Sequence, residues 1–226
     1  IKIPSGEEFA RLKNLMTSQK LHTVCEEARC PNMAECWNAG TATFMILGDV
    51  CTRSCGFCNV KTGRPVGLDR EEPKRVAEAI RAMGVKHAVI TSVNRDELAD
   101  GGAEIFAETI SETRRVNPNI TIEVLIPDFQ GVKWALDIVL KEKPDILNHN
   151  TETVPRLYRR VRPQAKYERS LLVIKWSKEA GMNTKSGLML GLGETADEVL
   201  RVMEDLYAAG CDILTLGQYL QPTKEH

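Results

Sequence analysis

Residues 42–58 read ATFMILGDVCTRSCGFC, a short apolar run followed at once by three cysteines. An apolar run of this length, without helical periodicity, is typical of a strand that is covered on both faces. Cys51, Cys55 and Cys58 have the spacing C-x3-C-x2-C. The sequence therefore places three thiols on the loop that leaves the carboxyl end of a first strand.

Five further runs of strand length follow and alternate with helical patterns. The six predicted strands are residues 42–48, 87–93, 120–126, 145–150, 183–191 and 212–219. The first helix has Pro73 in its first turn and ends at Gly84, the second covers residues 103–116, and the fifth opens with Thr195 and Glu198 in capping-box spacing. Strands that alternate with helices form a parallel sheet. We therefore expect an α/β fold, either a doubly wound sheet or an incomplete barrel, with the active site at the carboxyl ends of the strands.

Three of the predicted helices carry apolar stripes, which we interpret as core packing without a further function. The stripes consist of Val132, Ala135, Leu136 and Val139; of Leu172, Val173, Trp176 and Ala180; and of Val199, Val202, Met203 and Leu206. Outside this alternating series, a helix near residues 5–19 is predicted to lead into a second cysteine cluster.

These cysteines are Cys25, Cys30 and Cys36, in the spacing C-x4-C-x5-C, so six of the seven cysteines lie between residues 25 and 58. In chain order we call Cys25, Cys30 and Cys36 the first triplet and Cys51, Cys55 and Cys58 the second triplet. Three thiolates on a short loop can hold three irons of a [4Fe–4S] cluster, because such clusters take cysteine ligands. The fourth iron would lack a cysteine, and an open metal position can bind a substrate or cofactor. Both triplets are therefore candidate metal ligands for redox chemistry.

Disulfides and structural zinc are the alternative uses of clustered cysteines. A chain of 226 residues buries enough surface to need no disulfides. Zinc is the stronger alternative, but zinc sites favour paired C-x2-C or Cys/His sets, and here only Cys55 and Cys58 form such a pair. Cys211 stands alone in an apolar run and is predicted to be a small buried hydrophobe. The four histidines are scattered along the chain: His22, His87, His149 and His226.

Composition excludes some classes of function. The formal net charge of −1, from 30 basic and 31 acidic residues, argues against a nucleic-acid binder that relies on bulk charge. No apolar run approaches the roughly 18 residues of a membrane-spanning helix. Clustered cysteines favour a reducing compartment, either the cytosol or an organelle matrix.

Polar side chains follow several predicted strands, at positions where a core would require apolar groups. The polar positions fall within residues 92–96, 148–152, 185–194 and 218–219. Because the carboxyl ends of parallel strands meet at one edge of a sheet, these residues predict a small-molecule pocket.

The motif CTRSCGFC at residues 51–58 resembles the C-x3-C-x-φ-C signature of the radical S-adenosylmethionine (SAM) superfamily, with Phe57 as the aromatic residue. Residues 24–32, VCEEARCPN, followed by Cys36 and Trp37, are similar to the auxiliary-cluster motif of the lipoyl synthase family. The segments DGGAE, NHNTETVPRLY, TKSGLMLGLGE and GQYLQPT also resemble that family. The resemblance covers essentially the whole chain, and the double triplet is highly specific.

The resemblance implies a partial (β/α)6 barrel over residues 41–226 and an N-terminal extension, residues 1–40, that carries the auxiliary cluster. A cluster on Cys51, Cys55 and Cys58 would bind SAM through its fourth iron and donate one electron, which yields methionine and a 5′-deoxyadenosyl radical. That radical would abstract hydrogen from C6 and C8 of an octanoyl chain on a lysine of a carrier protein. A second cluster, on the first triplet, would supply both sulfur atoms.

The implied cofactors are two [4Fe–4S] clusters and SAM. The implied partners are an octanoylated lipoyl carrier protein or domain and an electron donor such as a ferredoxin or flavodoxin, with no nucleic acid and no membrane. The implied location is the cytoplasm or, in a eukaryote, the mitochondrial or plastid matrix. Strand-end position favours six residues for binding SAM: Phe57, Asn94, Asp96, Glu152, Lys185 and Gln218.

Alternatives remain within and outside this family. Another radical SAM enzyme with an auxiliary cluster, such as one resembling biotin synthase, is disfavoured by the N-terminal C-x4-C-x5-C spacing. A zinc-stabilised binding module is the alternative from another class, and metal analysis distinguishes the two.

In lipoyl synthases a serine of an R-S-S-Y motif near the C-terminus is a cluster ligand, and this motif does not occur up to His226. Either a C-terminal tail lies outside this sequence, which is our expectation, or the cluster is ligated differently.

A basic stretch follows the fourth predicted strand. It is interpreted either as a solvated helix face or as a functional surface, which would be a docking site for an acidic lipoyl carrier domain or an arginine that reaches the SAM carboxylate. The residues are Arg156, Arg159, Arg160, Arg162, Lys166 and Arg169.

Overall fold

The computed structural model describes residues 21–23, 36, 41–224 and 226. The described strands are β1 (His22–Thr23), β2 (Thr41–Ile46), β3 (Val50–Cys51), β4 (Lys61–Thr62), β5 (His87–Ser92), β6 (Thr121–Leu125), β7 (Ile146–Asn148), β8 (Thr184–Leu190) and β9 (Ile213–Gln218). The described α-helices are α1 (Glu72–Met83), α2 (Ala103–Val116), α3 (Lys133–Lys141), α4 (Tyr158–Val161), α5 (Tyr167–Glu179) and α6 (Ala196–Ala208).

The main sheet has the order β1-β2-β5-β6-β7-β8-β9. The short β1 is antiparallel to β2, and every other neighbouring pair in this sheet is parallel. From β2 onward the spatial order follows the chain order, whereas a doubly wound sheet reverses its order at a switch point. Of the two predicted architectures, the structure is therefore the incomplete barrel.

All six predicted strands are present, as β2, β5, β6, β7, β8 and β9. The helix signals are confirmed as well: Gly84 ends α1 with a left-handed φ of 64°. At α6 the capping box is complete, because Thr195 Oγ1 accepts from Glu198 N and the Glu198 carboxylate accepts from Thr195 N. The sequence did not predict β1, β3 or β4, because a strand of two residues carries no periodicity.

Two predicted stripes were wrong in part. In α5, Leu172 and Ala180 are exposed, and the buried face includes Ser170 and Ser177. Apolar periodicity misses such a face, because a serine whose hydroxyl bonds the preceding turn packs like a small apolar residue; Ser177 Oγ donates to Val173 O at 2.8 Å. In α6, Met203 is exposed, whereas Val202 and Leu206 are buried. Cys211 is half-buried against the core rather than fully buried.

Alternation along the strands separates a helix-facing core from an inner face. Phe44, Ile90 and Ile122 are fully buried on the helix-facing side of β2, β5 and β6. Thr43, Thr91 and Leu125 belong to the other face and line a cavity. The inner face of the sheet therefore contributes to a cavity near the carboxyl ends of the strands.

None of the described helices has both the length and the apolar character that a membrane span requires.

Glu123 is a buried carboxylate two residues before Leu125 and therefore on the same inner face. Asn148 Nδ2 donates to its Oε1 at 2.9 Å, and Lys185 Nζ lies 3.0 Å from both of its oxygens. Burial alone would raise the pKa of Glu123, but hydrogen bonds from His87, Asn148 and Lys185 outweigh burial and lower the pKa.

Replacing Glu123 with glutamine should destabilise the protein at neutral pH by about 1–3 kcal/mol, because Lys185 loses its charged partner. A carboxyl whose folded pKa is lowered contributes stability above its ordinary value of 4.5 and loses that contribution as the pH falls through the folded value. Urea unfolding at pH 7 and pH 4 should therefore show less acid loss in the variant. The exposed Glu179→Gln variant is the control, and equal acid loss in the Glu123 variant and the unaltered protein would contradict the assignment.

Candidate active site

A cavity of ≈ 380 Å³ opens at the carboxyl ends of the strands. Its apolar wall includes Met45 of β2, Leu125 at the end of β6 and Met189 of β8. The lining also includes four of the six residues predicted to bind SAM. The predicted residues that line the cavity are Phe57, Asn94, Glu152 and Gln218.

The three thiols of the second triplet, Cys51, Cys55 and Cys58, all line this cavity. Cys51 ends β3, which pairs with β4, and Gly63 N donates to Cys51 O at 2.9 Å. Its Sγ accepts from the backbone N–H groups of Arg53 at 3.4 Å and Asn94 at 3.3 Å. These bonds tie the cysteine loop to the end of β5.

Cys55 and Cys58 are half-buried thiols on the same loop. Burial raises the pKa of Cys55 to about 11, although the nearby Arg162 guanidinium acts to lower it. Burial also raises the pKa of Cys58. Both thiols therefore hold their protons at neutral pH, and a metal centre would displace those protons as it binds.

This donor set fits an iron–sulfur cluster. Within the described part of the chain, no three His, Cys, Asp or Glu side chains converge closely enough to hold a single metal ion. A zinc site needs its ligands around one ion, whereas each cysteine of a [4Fe–4S] cluster binds a different iron. Three thiols that line one cavity without converging on a single point suit the second arrangement.

Arg53, which lies between Cys51 and Cys55, anchors the cysteine loop through bonds to two carboxylates. Its Nε and Nη2 donate to the two carboxylate oxygens of Asp96 at 2.7 and 2.8 Å, and Nη2 also lies 2.6 Å from Asp128 Oδ1. Arg169 Nη1 donates to the other oxygen of Asp128 at 3.1 Å. Burial would raise the pKa of Asp128, but the Arg53 guanidinium outweighs it and holds that pKa well below its usual range.

Arg162 brings a second buried guanidinium to the cavity wall. Its Nη1 donates to Asn150 O at 2.8 Å and Thr151 O at 3.0 Å, and the guanidinium lies 5.4 Å from the Tyr158 ring centroid. Among the described residues, its Nε has no hydrogen-bond partner. A partly unsatisfied buried cation on a cavity wall suits an anionic ligand group.

Glu152 faces Arg162 from a strained backbone position, with a φ of 64°. Burial raises the pKa of its carboxyl, and Arg162 and a hydrogen bond from Asn150 act to lower it. A left-handed conformation at a residue other than glycine is uncommon and is often found at functional sites. Nearby, burial lowers the pKa of His149 to about 4, so this imidazole is neutral at pH 7.

Two residues predicted to bind SAM have other partners in the structure. The Asp96 carboxylate is bonded to Arg53, and the Lys185 ammonium is bonded to Glu123. Neither residue is part of the cavity lining. Asp96 follows the carboxyl end of β5, whereas Lys185 is the second residue of β8 and lies near the amino end of that strand. The direction of each side chain is set by a charged partner distant in sequence.

The sequence did not single out Arg53 or Asp128 as lining residues, although both line the cavity. His149 also lines it and falls within the polar range 148–152 that predicted the pocket. Asp128 comes three residues after the end of β6, so strand-end position was the available signal. In the first triplet, Cys25 and Cys30 lie outside the described residues, as does the predicted helix near residues 5–19, and Cys36 is half-buried.

Comparison with known proteins places this geometry in a family. The Radical SAM superfamily model matches residues 45–206, and the model of the N-terminal domain of lipoyl synthase matches residues 1–30. A lipoyl synthase of Rubrobacter xylanophilus is 60% identical over 100% of this chain and 71% of its own length. A lipoyl synthase of Flavobacterium johnsoniae is 57% identical over 100% and 79%, and a mitochondrial lipoyl synthase of Nematostella vectensis is 56% identical over 100% and 78%.

Solved structures agree on the fold. Methylornithine synthase superposes with a TM-score of 0.63 at 15% identity, over 92% of this chain and 64% of that one. A maturase of the [FeFe]-hydrogenase superposes with a TM-score of 0.65 at 14% identity, over 93% and 57%. At such identities these structures establish the fold alone, whereas the family models and the curated relatives identify the family. The chain belongs to the lipoyl synthase family of radical SAM enzymes.

Proposed function

We propose that in this lipoyl synthase Cys51, Cys55 and Cys58 hold the [4Fe–4S] cluster that binds SAM, and that Cys25, Cys30 and Cys36 hold a second cluster that supplies sulfur. The reaction inserts two sulfur atoms, at C6 and C8 of a protein-bound octanoyl-lysine. The observation that carries the first assignment is that three thiols line a cavity at the carboxyl ends of parallel strands.

When bound, the first cluster supplies the electron that cleaves SAM into methionine and a 5′-deoxyadenosyl radical. The residues of the chain hold and orient the reactants. Arg162 offers a buried positive charge and a free Nε for the SAM carboxylate. Asn94 Oδ1 is buried without a partner among the described residues and offers an acceptor to the SAM amino group. Glu152 adds a carboxyl group to the lining, and Phe57 and Gln218 complete it.

The apolar part of the cavity has a separate task. Met45, Val93, Leu125 and Met189 line it and exclude water. An unactivated C–H bond requires a radical, and the protein must keep that radical away from solvent and from side reactions. The apolar lining also suits an alkyl chain, which gains free energy on leaving water.

We further propose the two-part organisation of residues 1–40 as an extension and 41–226 as the barrel. The partners are an octanoylated lipoyl carrier protein or domain and a one-electron donor such as a ferredoxin or flavodoxin. The location is the cytoplasm or an organelle matrix, and one relative is described as mitochondrial.

Iron and acid-labile sulfide should be measured after anaerobic reconstitution of the unaltered protein and of the Cys25→Ala/Cys30→Ala/Cys36→Ala variant. Two clusters predict roughly eight irons per chain, falling to about four in the variant. The variant should still cleave SAM, and mass spectrometry of an octanoyl-lysyl peptide should show no sulfur insertion by it. About four irons in both proteins would refute the second cluster and its role as sulfur donor.

A further inference from the structure

The cysteine loop has a cavity side and a solvent side. Cys55 and Phe57 line the cavity. Ser54 and Gly56, which alternate with them, are exposed and do not line it. A cluster bound by Cys55 would therefore lie on the cavity side of the loop, and at this point only the loop itself would separate it from solvent.

The solvent side of the loop packs against the chain that follows α4. Gly56 N donates to Val161 O at 2.8 Å. Gln164 Nε2 donates to Ser54 Oγ at 3.0 Å. These contacts fix the C-terminal end of α4 and the following turn beside the exposed part of the cysteine loop.

The basic stretch of residues 156–169 divides into two groups in the structure. Arg156 is bonded to Glu198, Arg162 lines the cavity and Arg169 is bonded to Asp128. The other three side chains are exposed, and no hydrogen bond or ion pair joins them to a described residue. These three are Arg159, Arg160 and Lys166. They flank in sequence Val161 and Gln164, which bond the cysteine loop, and together with Ser54 and Gly56 we call them the loop patch.

We propose that the loop patch is the docking surface for an acidic one-electron donor protein. The proposal rests on the assignment of a [4Fe–4S] cluster to Cys51, Cys55 and Cys58. One electron passes from the donor, which is oxidised, to the cluster, which is reduced from the 2+ to the 1+ state, and no atom is transferred. Positive charge beside the cysteine loop, which separates the cluster from solvent, would attract an acidic donor and hold it at a short distance from the iron.

The lipoyl carrier domain fits the loop patch less well than the electron donor does. An octanoyl chain must enter the cavity, and Ser54 and Gly56 face away from it. The free members of the basic stretch are therefore assigned to electron delivery and not to the carrier.

The test is a charge reversal, Arg159→Glu/Arg160→Glu, at two exposed side chains that are bonded to no residue the structure describes. The matched control is Arg81→Glu/Arg201→Glu, which changes the net charge by the same amount at exposed positions on α1 and α6. Cluster reduction is followed by anaerobic absorbance bleaching against the concentration of a reduced flavodoxin. Binding of the oxidised flavodoxin is measured by calorimetry. Photoreduced 5-deazaflavin serves as a small uncharged reductant.

The half-saturating flavodoxin concentration and its dissociation constant should each rise at least about tenfold in the loop-patch variant, with a weaker dependence on salt. Reduction by deazaflavin and the KM for octanoylated carrier should match those of the control variant. Unchanged flavodoxin binding, or an equal loss with deazaflavin, would overturn the proposal. A raised KM for the carrier alone would assign the loop patch to the carrier. Absence of the cluster from unaltered protein would instead refute the proposed function on which this inference rests.

Discussion

Replacing Cys51, Cys55 and Cys58 together with alanine should reduce 5′-deoxyadenosine formation below detection. Only these three thiols of the described chain line the cavity, so their loss leaves a cluster without its ligands. Iron should fall from roughly eight to about four per chain, because the first triplet is unchanged. Chromatography with mass detection of 5′-deoxyadenosine, together with iron analysis, measures both effects on the same sample.

Cys211→Ala is the matched control for this experiment. Its thiol is half-buried, donates to Ile213 O at 3.1 Å and is not part of the cavity lining. The control should keep its iron and its SAM cleavage. Continued SAM cleavage by the triple variant would mean that SAM binds elsewhere and that the second triplet is structural.

The strands and helices were predictable because buried parallel strands are apolar throughout and the helix ends carry local signals. Gly84 and the pair Thr195 and Glu198 each act within one turn of helix. Strand order was not predictable, because periodicity does not say which strand lies beside which. The sequential order that distinguishes the incomplete barrel from the doubly wound sheet emerged only from the pairing.

The site was predictable where the signal is local and not where it depends on distant partners. The second triplet is local, and its three thiols line one cavity. Asp96 follows a predicted strand and Lys185 lies within another, but their partners Arg53 and Glu123 are 43 and 62 residues away in sequence. A buried charge turns toward the nearest opposite charge, and a single sequence does not show where that charge lies.

Arg53→Met should have the largest effect on stability among single changes outside the cysteines. The substitution leaves Asp128, whose side chain is fully buried, with Arg169 as its remaining cationic partner. Removing one member of a buried ion pair costs about 3–5 kcal/mol, because the other charge stays buried and poorly compensated. Urea unfolding of metal-free protein measures this cost without any contribution from a cluster.

Two further variants separate charge from packing. Arg53→Lys keeps the positive charge but loses the two-point contact with Asp96, so it should cost less than Arg53→Met. Arg53→Met/Asp128→Asn removes both buried charges and should recover a large part of the stability. The exposed Arg201→Met variant is the control for loss of an arginine. If the double variant is no more stable than Arg53→Met, lost packing accounts for the destabilisation. If the double variant is more stable, the uncompensated charge of Asp128 accounts for it. Arg53 is then the residue that allows the Asp128 carboxylate to be buried next to the cysteine loop.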